Sequence, residues 1–163
     1  MDSPIKAFIG LGSNLEDPRQ QVLTAIQQLS KLDGTKLLQQ SSLYRSDPVG
    51  PANQPDFINA VVSIQTRFTP LALLDQLQAI EQLHRRVRKE HWGPRTLDLD
   101  LLLYDNQTIA LPRLTVPHPF LTQRNFVLYP LAEISPELYL PDGSLLSTIL
   151  ARCLMGSLQR LDV

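Results

Sequence analysis

The chain has 163 residues, 43% of them hydrophobic, and a formal net charge of −1 from 15 Lys and Arg against 16 Asp and Glu. That balance excludes a disordered chain and a general nucleic-acid coat, and it predicts one globular domain over residues 1–163 with a core of its own. No apolar run approaches the ~20 residues that span a bilayer, and Cys153 alone allows no intrachain disulfide, so a cytoplasmic protein is expected.

In chain order, Ile5 to Leu11 reads as a first strand, ended by Gly10-Leu11-Gly12-Ser13-Asn14. A lone Gly-x-Gly is weak evidence for phosphate binding. No Gly-x-x-x-x-Gly-Lys stretch exists, which excludes a P-loop. Asp17-Pro18 starts a helix, with Asp as cap and Val22, Ile26 and Leu29 at helical spacing, and Asp33-Gly34 stops it. Lys36 to Arg45 is the second strand. The segment Ser46 to Pro55 that follows carries three prolines and a glycine, and reads either as a stiff connector or, being longer than a hairpin needs, as a functional loop, the reading its length favours. Asp56 to Thr66 is the third strand, with Ile58, Ala60, Val62 and Ile64 on its core face and Phe57 and Asn59 on the other. An aromatic beside an amide is often plain surface packing. It is also what a flat heterocycle requires, one group to stack and one to read an edge.

Thr69-Pro70 caps a second helix whose apolar side is Leu73, Leu74, Leu77, Ile80 and Leu83. Glu81 and Arg85, at i,i+4, suit either a surface ion pair or a nucleotide contact, with Gln78 on the same side. Then comes the basic stretch Arg86-Val87-Arg88-Lys89-Glu90-His91, part of a patch holding seven Lys and Arg against four acids between Arg85 and Arg124. A local cluster of this kind suits a small anion better than a long polyanion. The next strand, from Leu97, puts leucines at 97, 99, 101 and 103 on one face and Asp98, Asp100, Leu102 and Tyr104 on the other. Two carboxylates about 7 Å apart along a strand repel unless a cation shares them. Oxygen-only ligands favour a hard ion such as Mg2+ when substrate phosphates supply more oxygens. An isolated Asp-x-Asp is more often a solvated sheet face. The arginines that precede this one argue for a metal-bound polyphosphate.

Strand, helix, strand, strand, helix, strand is the ferredoxin-like split βαβ pattern: an α/β (α+β) fold with a mostly antiparallel sheet and helices packed on it. Beyond it, Asp105-Asn106-Gln107 makes a turn, a short return follows near Thr108 to Leu111, and His118 sits between Pro117 and Pro119. Phe126 opens an apolar run to Leu131. A last helix over Leu145, Leu146, Ile149 and Leu150 completes a C-terminal extension of hairpin and helices. Cys153 follows the same apolar spacing and reads as inert filler.

The stretch Trp92-Gly93-Pro94-Arg95-Thr96-Leu97-Asp98-Leu99-Asp100-Leu101-Leu102 resembles the signature of the hydroxymethyl-dihydropterin pyrophosphokinases of folate biosynthesis, and the likeness runs from Ala7 to about Gly143. The resemblance implies a diphosphate transfer from MgATP to the hydroxymethyl group of 6-hydroxymethyl-7,8-dihydropterin, releasing AMP. By the same likeness, Asp98 and Asp100 hold the metal. Arg86, Arg88, Trp92, Arg95, Arg113, His118 and Arg124 serve the ATP phosphates, Gln78 and Glu81 line the nucleotide side, and Arg86 and Arg95 join the two acids as catalytic residues. Ser46, Pro48, Val49, Phe57, Asn59 and Phe126 enclose the pterin. The chain departs from the family's usual pattern at Pro119, where an aromatic is frequent, and at Phe57, where Tyr is frequent. A monomer with small-molecule partners and no nucleic acid or membrane is expected, with Ser46–Pro55 and Arg86–His91 closing over bound ligands. Two rival readings are an RNA-binding sheet, which needs more aromatics than 6% and a basic balance, and a metal-dependent phosphohydrolase, which needs no Phe57–Asn59 pair.

Overall fold

A computed structural model describes residues 3–14, 17–47, 55–86 and 97–161. The expected closure of the loop after Ser46 and of the basic stretch after Arg86 therefore falls largely outside the described residues. The elements are β1 (Ile5–Ser13), α1 (Pro18–Ser30), β2 (Thr35–Gln40), β3 (Tyr44–Ser46), β4 (Phe57–Thr66), α2 (Pro70–Arg86) and β5 (Asp98–Tyr104). After them come the hairpin β6 (Ile109–Leu111) and β7 (Leu114–Val116), α3 (Asn125–Ile134), α4 (Leu146–Leu150) and β8 (Gln159–Arg160).

The main sheet runs β5-β1-β4-β3-β8, with β2 also on β4, and every pairing is antiparallel. Taking β2 and β3 as two halves of one position gives the ferredoxin-like order the sequence predicts. The expected single strand from Lys36 to Arg45 is broken because Ser41 and Ser42 divert its bonding. Ser41 donates its N–H to the Val61 carbonyl (2.9 Å) and its hydroxyl accepts the Val61 N–H (2.9 Å). Ser42 turns its N–H to the Glu133 carboxylate (3.0 and 3.1 Å).

Helices α1 and α2 cover one sheet face. Ala7, Ile9 and Leu11 of β1 meet Val22, Ala25, Ile26 and Leu29 of α1, and Leu73, Leu77 and Ile80 of α2, together with alternate residues of β4 and β5. Asp17 stands at the N-cap of α1 but its side chain makes no capping bond, so Pro18 in the first turn is the operative start signal. Gly34 takes φ +61° in the turn after this helix, a conformation that suits glycine. Leu83 is exposed rather than in the apolar stripe of α2. His84 is buried in its place, its ring bonded to the side chains of Gln21 and of Gln28 (2.7 Å) on α1. Burial holds its pKa below the ordinary histidine value.

Among the described residues, the opposite face is covered by helices at one end. Phe8, Val61, Leu102 and Leu103 pack there against Leu128 and Leu131 of α3 and Leu146 of α4. The alternation predicted for β5 fails at this point. A register shift pairs Phe8 with Leu103 but Ile9 with Leu101, leaving Leu102 as the extra residue of a bulge. One inserted residue flips all that follow. Leu103 thus joins the α3 side, and Tyr104 joins the α1–α2 core, where its hydroxyl donates to the Phe68 carbonyl (2.5 Å). The apolar run from Phe126 is α3, which holds Pro130 within it.

The C-terminal segment carries β8, which the sequence did not suggest. Arg160 reaches Glu133 (3.4 Å), and Glu133 also accepts from the hydroxyls of Tyr44 (2.7 Å) and Ser42 (2.8 Å). Burial pushes the Glu133 carboxyl up, but those hydrogen bonds and the Arg160 charge outweigh it and hold its pKa below the ordinary 4.5. A depressed carboxyl stabilises the fold above its unfolded value, and that contribution is lost as pH falls through the folded one. Glu133→Gln is expected to cost about 1–3 kcal/mol near pH 7. Its deficit should shrink as pH falls below 4.5, which thermal melts from pH 7 to 3 would reveal.

Candidate active site

The other end of that second face is the floor of a cavity of about 1080 Å³. Three neighbouring strands switch character along this face. β1 goes from Phe8 to Gly10 and Gly12, β4 from Val61 to Asn59 and Phe57, and β5 from Leu102 to Asp100 and Asp98. The register lines the polar ends up, since Gly10 pairs with Asp100 and Gly12 lies between Asp98 and Asn59. Two side-chain-free positions thus leave open space between a carboxylate pair and an amide. A Cβ on Gly12 would stand 3.2 Å from the Asn59 Oδ1 and 3.9 Å from the Phe57 ring.

Asn59 is buried and its amide donates to the Ser46 hydroxyl (2.7 Å), which fixes which end of the amide carries the acceptor. Arg124 and Phe126 enter from the start of α3, and Ser46 and Asp47 from the end of β3. The structure therefore brings seven predicted residues to one cavity: Asp98, Asp100, Ser46, Phe57, Asn59, Arg124 and Phe126. Pro48, Val49, Arg88, Trp92 and Arg95 lie outside the described residues, and so does the side chain of Arg86.

Four other predicted residues stand apart from the cavity lining. Gln78 accepts from Arg113 (3.2 Å), which also pairs with Asp75 (2.6 Å) on the outer side of α2. Glu81 accepts the Leu99 N–H at 2.8 Å. Its carboxylate therefore holds the edge strand β5 midway between Asp98 and Asp100, a bond that neither reading of the sequence included. His118 lies near the acid pair. Its main-chain N–H donates to the Leu102 carbonyl (3.0 Å), and its Nδ1 accepts the Phe120 N–H (3.2 Å). Burial lowers its pKa, the Asp100 charge opposes that, and the Arg124 charge lowers it further. The ring is thus neutral near pH 7 with its proton on Nε2.

Gly12, Asp47 and Arg152 also line the cavity, none of them singled out from the sequence as a site residue. Gly12 had a signal, the Gly-x-Gly, which serves as a gap in the sheet face instead of a phosphate loop. Cys153, expected as helical filler, lies beyond α4 and half-buried at the cavity wall.

The chain matches the model of the 7,8-dihydro-6-hydroxymethylpterin-pyrophosphokinases over residues 8–136, a span that contains all seven predicted residues of the cavity, the acid pair among them. It belongs to that family. A protein of Pseudomonas aeruginosa named 2-amino-4-hydroxy-6-hydroxymethyldihydropteridine pyrophosphokinase is 51% identical over 156 residues, 96% of each chain. One of the same name from Haemophilus influenzae is 48% identical over 145 residues, 89% of this chain and 91% of its own. In fold, the chain is similar to the Plasmodium falciparum HPPK-DHPS crystallised with pteroate, with a TM-score of 0.75, 15% identity and 93% of this chain covered. It spans 43% of that longer chain. The pyrophosphokinase family and the ferredoxin-like sheet agree with what the sequence predicted. Among the described residues, no helix is long and apolar enough to cross a membrane.

Proposed function

We propose that this pyrophosphokinase moves a diphosphate from ATP to the hydroxymethyl group of 6-hydroxymethyl-7,8-dihydropterin, releasing AMP, a step of folate biosynthesis. The observation that carries this reading is the register that sets Asp98 and Asp100 across Gly10 and Gly12 from the Phe57–Asn59 pair. A phosphate-and-metal half and a heterocycle half then share one floor. That pairing also favours the reading over a plain phosphohydrolase, which has no use for the second half.

Asp98 and Asp100 would hold Mg2+. Both are half-buried on one strand face, and among the described residues no group of three His, Cys, Asp or Glu forms a metal cluster. An open two-carboxylate set leaves coordination positions for phosphate oxygens, as a hard ion shared with a nucleotide requires. When bound, the ion neutralises charge on the phosphoryl oxygens. Phe57 and Phe126 offer aromatic faces to the pterin, and the Asn59 Oδ1 accepts from an N–H on its edge. Ser46 keeps that acceptor turned the right way. Arg124 presents its planar fork to phosphate, which a lysine cannot copy. His118, neutral with Nε2–H free to donate, adds a hydrogen bond that brings no second fixed charge beside Arg124. No side chain is required to form a covalent intermediate, so the chain's contribution is orientation and charge. A monomer acting on small molecules suits a cavity built within one chain. Incubation with MgATP and the reduced hydroxymethylpterin should yield AMP and pterin diphosphate in equal amounts. Formation of ADP or free phosphate instead would overturn the assignment.

A further inference from the structure

We propose that Phe120 is a positioning residue for the phosphate-binding side of the site, holding the Arg124 guanidinium in place between two aromatic rings. The inference rests on the reading that Arg124 meets phosphate. Phe120 does not belong to either core cluster, and 48% of it is exposed. Its ring centroid is 4.9 Å from the Arg124 guanidinium carbon, and the Phe126 centroid is 5.5 Å from the same carbon. Both distances lie within the range of cation–π attraction. Its ring also sits 6.1 Å from that of His118, tilted by 53°, and its N–H holds the His118 Nδ1.

The backbone makes this arrangement firm. A 3₁₀ turn at Leu121–Gln123 links Phe120 to Arg124, closed by the Gln123 N–H on the Phe120 carbonyl (3.0 Å) and pinned by buried Leu121. The Leu121 N–H on the His118 carbonyl (3.0 Å) joins the same turn to the histidine. An arginine on a free stem loses much rotamer entropy when it binds phosphate. One already seated against aromatic faces loses less, and the saving appears as affinity.

Phe120→Leu keeps an apolar side chain but removes the aromatic face, and Phe120→Tyr restores it. The Leu variant should raise KM for ATP about fivefold, leave KM for the pterin within twofold, and melt within a few degrees of wild type. The Tyr variant should behave as wild type. In the free protein, the Arg124 side-chain NMR signals should be shifted upfield by the rings, and Phe120→Leu should reduce that shift. Unchanged ATP kinetics in Phe120→Leu, or equal impairment of the Leu and Tyr variants, would overturn the proposal. Arg124→Ala separates the two levels. If it impairs ATP use while Phe120→Leu does not, the phosphate reading stands and this inference falls. If Arg124→Ala is itself unaffected, the phosphate reading is what fails, and the inference with it.

Discussion

Asp98→Ala and Asp100→Ala are each expected to lower kcat about a thousandfold while the protein remains folded. Both carboxylates project from β5 onto the cavity floor, about 7 Å apart along the strand. They leave the α1–α2 core to Leu97, Leu99 and Leu101, so truncating them opens no hole among packed side chains. Stability should therefore hold, and the removal of one of two neighbouring like charges works in the same direction. Loss of one ligand to a metal that neutralises a polyphosphate removes several kcal/mol of transition-state stabilisation, which sets the thousandfold scale. Asp98→Asn and Asp100→Asn keep the shape and remove only the charge, and they should be nearly as inactive. Steady-state AMP release with melting temperatures measured alongside tests both halves of the expectation. Activity near wild type in both alanine variants would mean that the acids are a solvated sheet face.

Much of this was legible from the chain because periodicity and composition coincide. The alternation at Ile58, Ala60, Val62 and Ile64 put Phe57 and Asn59 together on the far face, and both line the cavity. The same logic placed Asp98 and Asp100. It broke where a local event cut the period: the bulge at Leu102 exchanged the faces of Leu103 and Tyr104, and nothing in a run of leucines marks such an insertion. Glu81 and Glu133 were opaque for another reason. Their partners are a main-chain N–H on β5 and a pair of serine and tyrosine donors far along the chain. Long-range hydrogen bonds of this kind leave no spacing signal. Two-residue β8 is too short to carry a pattern at all.

Gly12→Val is expected to raise KM for the pterin at least about tenfold while leaving KM for ATP much less affected. Gly12 stands between the acid pair and the amide, where even a single Cβ would approach the Asn59 Oδ1 to 3.2 Å. Asn59 has little room to yield, since it is buried and its amide is bonded to Ser46. The two further methyls of valine would extend across the floor toward the Phe57 ring, filling volume the heterocycle needs. Overpacking of this kind costs about 1–3 kcal/mol, shared between strain in the free protein and lost substrate affinity. Gly12→Ala supplies a graded control, with a smaller effect of the same sign. The acids are reached from the other side of Gly12, so nucleotide binding serves as the internal reference. Titration of a non-reacting pterin analogue into both variants, with an ATP analogue measured in parallel, checks the ordering. Equal weakening of both ligands would mean that the substitution disturbs β1 as a whole and that Gly12 is not the gap over which the pterin lies.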